Sequence, residues 1–157
     1  MKIEEELQSK FKSEHHKLVV NLHLTYVRIT ARFQDLMKEH GLTATQYNVL
    51  RILRGQKQKP ASIGLIKERM IERNSDVSRV IDRLLKKDLI ERKANKDDRR
   101  QKDIIINDRG LNMLETIGKA EDDFLQAFED ISLEEVKKMN EFLDQIRSKL
   151  NKSDSEY

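Results

Sequence analysis

The 157-residue chain has no cysteine and no tryptophan, one proline and five glycines. Without cysteine, disulfides, thiol-based redox sensing and cysteine-ligated zinc are all excluded. With so little proline and glycine, and no Ser/Gly-rich tract, nothing marks a flexible boundary between independent domains. There is no internal repeat. No apolar run approaches the roughly 20 residues that span a bilayer. The opening Met-Lys-Ile-Glu-Glu-Glu lacks the apolar centre of a signal peptide, so a cytoplasmic protein with no membrane partner is expected.

The signs of catalysis are missing as well. Four histidines, at positions 15, 16, 23 and 40, stand without a nucleophilic cysteine, a G-x-S-x-G elbow or a glycine-rich phosphate loop. His15, His16 and His23 share one helical segment, but only His15 and His23 fall near one line, two turns apart. A metal site there needs ligands from elsewhere. The expectation is no enzyme, no catalytic residue, no metal and no cofactor.

Charge is what the chain has in quantity: 38% of its residues are Asp, Glu, Lys or Arg, against 37% hydrophobic. That leaves a modest core for a monomer and suits an elongated helical protein that shares surface with a partner. The net charge is only +3, but it is unevenly spread. From Arg69 to Lys102 there are 12 basic against 7 acidic residues; from Leu111 to Tyr157 there are 6 against 12. A charge run alone is usually a solvated helix face. This one coincides with a motif.

Ser62 precedes apolar residues at 63, 65, 66, 70 and 71, the pattern of a short helix with one buried face and a serine N-cap. After Glu72-Arg73-Asn74, the stretch Ser75 to Lys87 places Val77, Val80, Ile81, Leu84 and Leu85 at three- and four-residue spacing. Asn74 or Ser75 is the expected cap, and Lys86 and Lys87 sit where the helix dipole favours cations. Residues 89–94 and 102–107 then read as two strands around the charged loop Asn95 to Gln101. A ribbon tip carrying Lys96, Arg99 and Arg100 has the charge to enter a DNA minor groove. Helix, turn, basic helix and charged hairpin in this order are the signature of a winged helix-turn-helix.

The two ends carry broad apolar surfaces. Phe11, Leu18, Leu22, Tyr26, Ile29, Phe33 and Leu36 form one helical stripe, flanked by Val19, Val20, His23 and Val27. At the C-terminus, Leu111, Leu114, Ile117, Phe124, Leu125 and Phe128 precede a break near Ile131. Ser132-Leu-Glu-Glu135 starts a further helix bearing Leu133, Val136, Met139, Leu143, Ile146 and Leu150. A second capping box, Thr43-Ala-Thr-Gln46, starts a helix that runs to about Leu53. The fold expected is mainly α with a small β-hairpin wing. A lobe at residues 41–110 is the winged helix-turn-helix, and residues 1–40 and 111–157 form a helical dimerisation region.

Three segments resemble the MarR family of bacterial transcriptional regulators: Asp88-Leu-Ile-Glu-Arg92, Asp97-Asp-Arg-Arg-Gln-Lys102 and Ile104-Ile-Ile-Asn-Asp-Arg-Gly110. The likeness extends over nearly the whole chain. Family members commonly read Asp-x-Arg-Asp-x-Arg in the wing and Thr-x-x-Gly after the second strand. Here Asn95 and Asp97 stand at the first aspartate and first arginine, and Asn107 at the threonine, leaving Asp98, Arg99 and Arg100 as the matching wing residues. The resemblance implies a homodimer that exchanges its terminal helices and binds palindromic double-stranded DNA.

On that resemblance Ser75, Asp76, Ser78 and Arg79 approach the major groove. Arg79 is either the leading base reader, pairing bidentately with guanine, or a phosphate contact. Asp76 has a structural role before a recognition role. Arg83, one turn on, contacts phosphate or pairs with carboxylates near Asp82. In the wing Lys96, Asp98, Arg99, Arg100 and Lys102 form the DNA-binding set: one of the two arginines, Arg99 before Arg100, enters the minor groove and the other pairs with Asp98.

The resemblance further implies a repressor whose DNA affinity falls when a small phenolic or anionic effector binds between the dimer helices and the lobe. Tyr26, Thr30 and Tyr47 are candidate lining groups, although aromatics at helical spacing are more often core. A second reading is a winged-helix protein-interaction module with only nonspecific DNA affinity. The density of cations at Arg79, Arg83, Lys86, Lys87, Arg99 and Arg100 favours the first.

Overall fold

The structure is a computed structural model and describes residues 2–72, 75–95 and 102–153. In chain order its elements are α1 (Ile3–Leu7), α2 (Glu14–Glu39), α3 (Ala44–Gly55), α4 (Ile63–Arg69), α5 (Val77–Lys86), β1 (Ile90–Ala94), β2 (Lys102–Ile106), α6 (Asp108–Gln126) and α7 (Leu133–Ser153). This is a mainly helical chain with one small antiparallel hairpin, the winged helix-turn-helix expected from the sequence.

Short polar side chains set the helix starts. Ser13 accepts from the His16 N–H to open α2, and Thr43 and Gln46 cap each other's backbone at α3. Ser62 Oγ accepts from the Leu65 N–H at 3.1 Å to open α4. At α2 the chain leaves through Gly41, φ 67°, with the Leu42 N–H returning to the Met37 carbonyl and the Gly41 N–H to that of Lys38. That pair of bonds is a Schellman ending, which needs a left-handed residue.

α5 starts later than the sequence suggests. Its cap is Asp76, whose Oδ1 accepts from the Arg79 N–H at 3.1 Å, in place of Ser75, while Asn74 lies outside the described residues. Asp binds an orphan amide at the helix start with its charge aligned to the dipole, so the two effects add. The first strand also begins one residue later than expected, and the second ends one residue earlier. Phe11 precedes α2 and meets His16 edge-on instead of joining the helical stripe. Ile71, expected on the buried face of α4, lies beyond that helix at 86% exposure.

By compactness the chain divides at Ile117. In the first unit α3, α4 and α5 pack around Leu50, Leu53, Ile66, Ile81 and Leu84, all nearly inaccessible. Ile90 pairs with Ile106 and Arg92 with Ile104 across the hairpin, and Ala61 adds a short third edge through mutual 2.8 Å hydrogen bonds with Ile104. Phe33, Leu36 and Met37 near the end of α2 join this same core, as do Leu114 and Ile117 of α6.

In the second unit, from Gly118 on, α7 opens with the Ser132–Glu135 capping box, and Phe124 meets Phe128 edge-on at 5.8 Å. Leu125, Leu133, Met139, Phe142 and Leu150 are all exposed.

Candidate nucleic-acid interface

The hydrophobic half of α5 places its polar half. With Val77, Ile81 and Leu84 buried, Ser78, Arg79, Asp82, Arg83 and Lys86 emerge on the opposite, solvent-facing side. Arg79 and Arg83 are one turn apart on this face and Lys86 follows, so three cations line one edge of an amphipathic helix. Ser75 is half-buried, and its hydroxyl donates to Glu72 Oε2 at 3.3 Å. Asp76 is exposed and is held by its capping bond to the Arg79 N–H.

One residue of this surface escaped the sequence reading. Arg92 on β1 pairs with Asp82 on α5, Nη2 to Oδ1 at 2.6 Å. Of the two roles expected for Arg83, phosphate contact or partner of carboxylates near Asp82, the second is not the one it takes at Asp82. The hairpin supplies the cation instead, and Arg83 is left on the open face. Nothing in helical spacing signals this pair, because it depends on how the ribbon folds back over the helix. Lys93 and Glu91 pair at 2.9 Å on the exposed part of the same strand.

At the root of the wing the Asn95 side-chain amide donates to Asp103 Oδ2 at 2.9 Å, across the hairpin. This gives Asn95, which stands where the family has aspartate, a bracing contact of its own. Lys102 belongs to β2, opposite Ala94. Lys96, Asp98, Arg99 and Arg100 lie outside the described residues.

The candidate ligand residues differ in exposure. Tyr47 is buried, its ring edge-on to Phe33 at 5.6 Å, with the Arg51 guanidinium 5.8 Å from its centre. Tyr26 is exposed on α2 and Thr30, one turn on, is half-buried. Tyr47 is thus a core aromatic. A cleft of about 280 Å³ opens elsewhere, lined by His40, Gly41, Leu42, Lys86, Lys87, Asp88, Leu89, Arg109 and Met113. Among the described residues no three His, Asp or Glu side chains cluster in a way that could hold a metal ion, and no helix is long and apolar enough to cross a membrane.

Behind the basic face, α5 ends as α2 does. The Leu89 N–H returns to the Leu84 carbonyl and the Asp88 N–H to that of Leu85, with Asp88 at φ 57° where α2 uses glycine. Asn107 caps α6 by accepting from the Gly110 N–H at 2.9 Å, and Gly110 lies against the Leu89 carbonyl so closely that a Cβ would come within 2.2 Å of it. The departure from threonine at position 107 therefore keeps the cap.

Residues 42–102, the stretch from the α3 cap to the second wing strand, match the MarR family. The HTH-type transcriptional regulator MhqR of Bacillus subtilis (strain 168) is 29% identical over 101 residues, covering 64% of this chain and 68% of that protein. BpsR of Bordetella bronchiseptica, whose DNA binding is regulated by 6-hydroxynicotinic acid, is 25% identical with a TM-score of 0.68, covering 83% of this chain and 98% of that one. S. aureus MepR, solved in complex with DNA, superposes with a TM-score of 0.72 at 20% identity, covering 82% and 93%.

Proposed function

We propose that the chain, whose residues 42–102 match the MarR family, is a winged-helix transcription regulator of that family and acts as a homodimeric, sequence-specific repressor. The observation that carries this reading is the exposed basic face of α5, with Arg79, Arg83 and Lys86 aligned and the neighbouring Asp82 neutralised by Arg92. A groove-facing helix needs cations for phosphates and a guanidinium near its N-terminus for base edges. Ser78 and Arg79, in the first turn beyond the Asp76 cap, are the base-side residues of the proposal; Ser75 and Arg83 flank them on phosphate. In the wing Lys96 and Lys102 follow the backbone, Arg99 enters the minor groove, and Arg100 pairs with Asp98.

The homodimer is supported by apolar surface that one chain leaves uncovered. Val19, Tyr26, Val27 and Ile29 on α2, and Leu133, Met139, Phe142 and Leu150 on α7, are all exposed. So much aliphatic and aromatic surface on two long helices marks an association face. On this reading residues 1–40 and 111–157 form the dimer region, 41–110 the DNA-binding lobe, and a two-fold axis matches a palindromic operator. The protein works in the cytoplasm.

Control by a small phenolic or anionic effector rests on BpsR, whose ligand has both an aromatic hydroxyl and a carboxylate. Such an effector lowers DNA affinity only by as much as it prefers the dimer spacing that does not fit DNA. Exposed Tyr26 and half-buried Thr30, one turn apart on α2, are the groups proposed for it, with Tyr47 as support from the core.

A salt-dependent titration against a duplex from upstream of the protein's own gene, beside a scrambled duplex and a mass measurement in solution, tests the whole reading. Tight binding of a dimer to the upstream duplex alone, falling steeply with salt, is expected. Equal weak binding to both leaves only electrostatic affinity, and a monomer that binds neither overturns the regulator.

A further inference from the structure

Asn107 uses all four of its hydrogen-bonding groups to join three elements. Its backbone N–H donates to the Leu89 carbonyl at 3.3 Å, and its own carbonyl accepts from Leu111 at 3.0 Å. Its side-chain oxygen accepts from the Gly110 N–H at 2.9 Å, capping α6, while its side-chain amide donates to the Asp88 carbonyl at 3.1 Å. Asp88 is the left-handed residue that ends α5. One side chain thus spans the gap between the last turn of the DNA-facing helix and the first turn of α6. The hydroxyl of a threonine fills the cap but has no second arm for the Asp88 carbonyl, whereas an asparagine amide presents an acceptor and donors at once.

Packing leaves this seam partly open. The cleft of about 280 Å³ lies along it, with Lys87, Asp88 and Leu89 on one side and Arg109 and Met113 on the other. Asp88 and Arg109 meet across it at 3.5 Å, both largely exposed, which is a weak contact in water. Beside the one close approach, Gly110 against the Leu89 carbonyl, the directed hydrogen bonds of Asn107 hold the two elements across the open part of the seam. α6 then carries the chain into the second unit, where the α7 part of the proposed dimer surface lies.

We propose that Asn107 is a positioning residue for DNA recognition, fixing the angle of α5 against α6 so that the two recognition helices of the dimer keep the spacing of one operator. The inference rests on the regulator reading. Its signature is a loss of specificity: a tilted recognition helix loses base contacts first, while phosphate contacts tolerate small displacements.

Two variants separate this role from capping. Asn107→Asp keeps the cap acceptor and sets an oxygen against the Asp88 carbonyl; Asn107→Thr keeps a neutral cap and omits the arm. The readout is the ratio of affinities for an operator selected in vitro with the wild-type protein and for a scrambled duplex at the same salt, together with the thermal midpoint. A ratio is required because the added charge of the aspartate variant weakens binding to all DNA. Both variants are expected to lose about tenfold in this ratio, the scale of one lost base contact. Thermal midpoints should stay near the wild-type value. A wild-type ratio in both variants, or a ratio that falls only in step with lost thermal stability, overturns the inference. If the wild-type protein selects no operator at all, the regulator reading falls first.

Discussion

Arg92 of the hairpin and Asp82 of α5 form an ion pair, Nη2 to Oδ1 at 2.6 Å, which places an acidic side chain on the basic face of α5 under the control of the wing. Both side chains are about half exposed, so the pair contributes at most about 1 kcal/mol to stability. Its larger effect is electrostatic. Arg92→Ala leaves a free carboxylate between Arg79 and Arg83, and weaker binding to every duplex is expected, most at low salt. The double variant Asp82→Ala/Arg92→Ala should recover part of the loss. Filter-binding curves at two salt concentrations check both; no recovery in the double variant would mean that Arg92 itself contacts DNA.

Gly110 is required by close approach. A Cβ there would lie 2.2 Å from the Leu89 carbonyl oxygen and 2.7 Å from Ile106 Cγ1, so α6 must shift to admit it. Gly110→Ala is expected to destabilise the fold by about 1–3 kcal/mol in urea unfolding, as overpacking does. Gly55 is the control, because it is exposed at the end of α3 with nothing within 4 Å of an added Cβ. Gly55→Ala should be neutral or gain up to about 1 kcal/mol. Equal effects at the two sites would refute the contact.

These cases show which parts were legible in the sequence. The caps at Thr43, Ser62 and Ser132 are local, each side chain reaching an amide three residues on, so residue type and spacing suffice. At α5 three adjacent residues, Asn74, Ser75 and Asp76, are all competent caps, and spacing alone does not rank them. The helix-turn-helix and hairpin could be read from periodicity because their apolar residues face one core. The Asp82–Arg92 pair and the Asn107 bridge could not, since both join segments whose register exists only after the hairpin closes. Tyr26 and Tyr47 show the same limit. Both are aromatics at helical spacing, yet Tyr47 is buried against Phe33 and Tyr26 is on the surface, a difference set by which helix packs beneath them.

Asp88 holds φ 57°, a conformation that disfavours residues with a Cβ, at the position where α2 uses Gly41. Asp88→Gly is expected to stabilise the protein by about 1 kcal/mol, raising the thermal midpoint by roughly 2–4 °C. The carbonyl that Asn107 uses is backbone and survives the change, so DNA specificity should not move. A lower midpoint would show that the contact of the Asp88 carboxylate with Arg109 outweighs the backbone strain.

The docking of α1 on α2 is expected to depend on pH. The Lys17 hydrogen bond holds the Glu4 carboxyl below its ordinary value of 4.5, and the same bond raises the Lys17 ammonium above 10.5. A lowered acid favours the folded state above 4.5 and loses that contribution as pH falls through the lowered value; a raised base favours it below 10.5 and loses it as pH rises through the raised one. Amide exchange of residues 3–7 should therefore be slowest, relative to intrinsic rates, across the neutral range and lose protection in acid. Because the pair is at the surface, added salt should weaken the dependence. Protection that is flat into acid would show that the Glu4–Lys17 pair does not hold α1 in place.

Arg79 and Arg83 stand one turn apart on the same exposed face, and their distance from the helix start predicts different work. Arg79 lies in the first turn beyond the Asp76 cap, where a recognition helix meets base edges. Arg79→Ala is expected to cost about 1–3 kcal/mol on the selected operator, with little change on a scrambled duplex and relaxed preference at one base position. Arg83→Ala, a turn further from the groove floor, should weaken both duplexes alike and lower the salt slope by about 1. Neither side chain is buried, so the stability of both variants should stay within about 0.5 kcal/mol of wild type. Uniform weakening by Arg79→Ala would make it a second phosphate contact, and base reading would then pass to Ser78 and the wing.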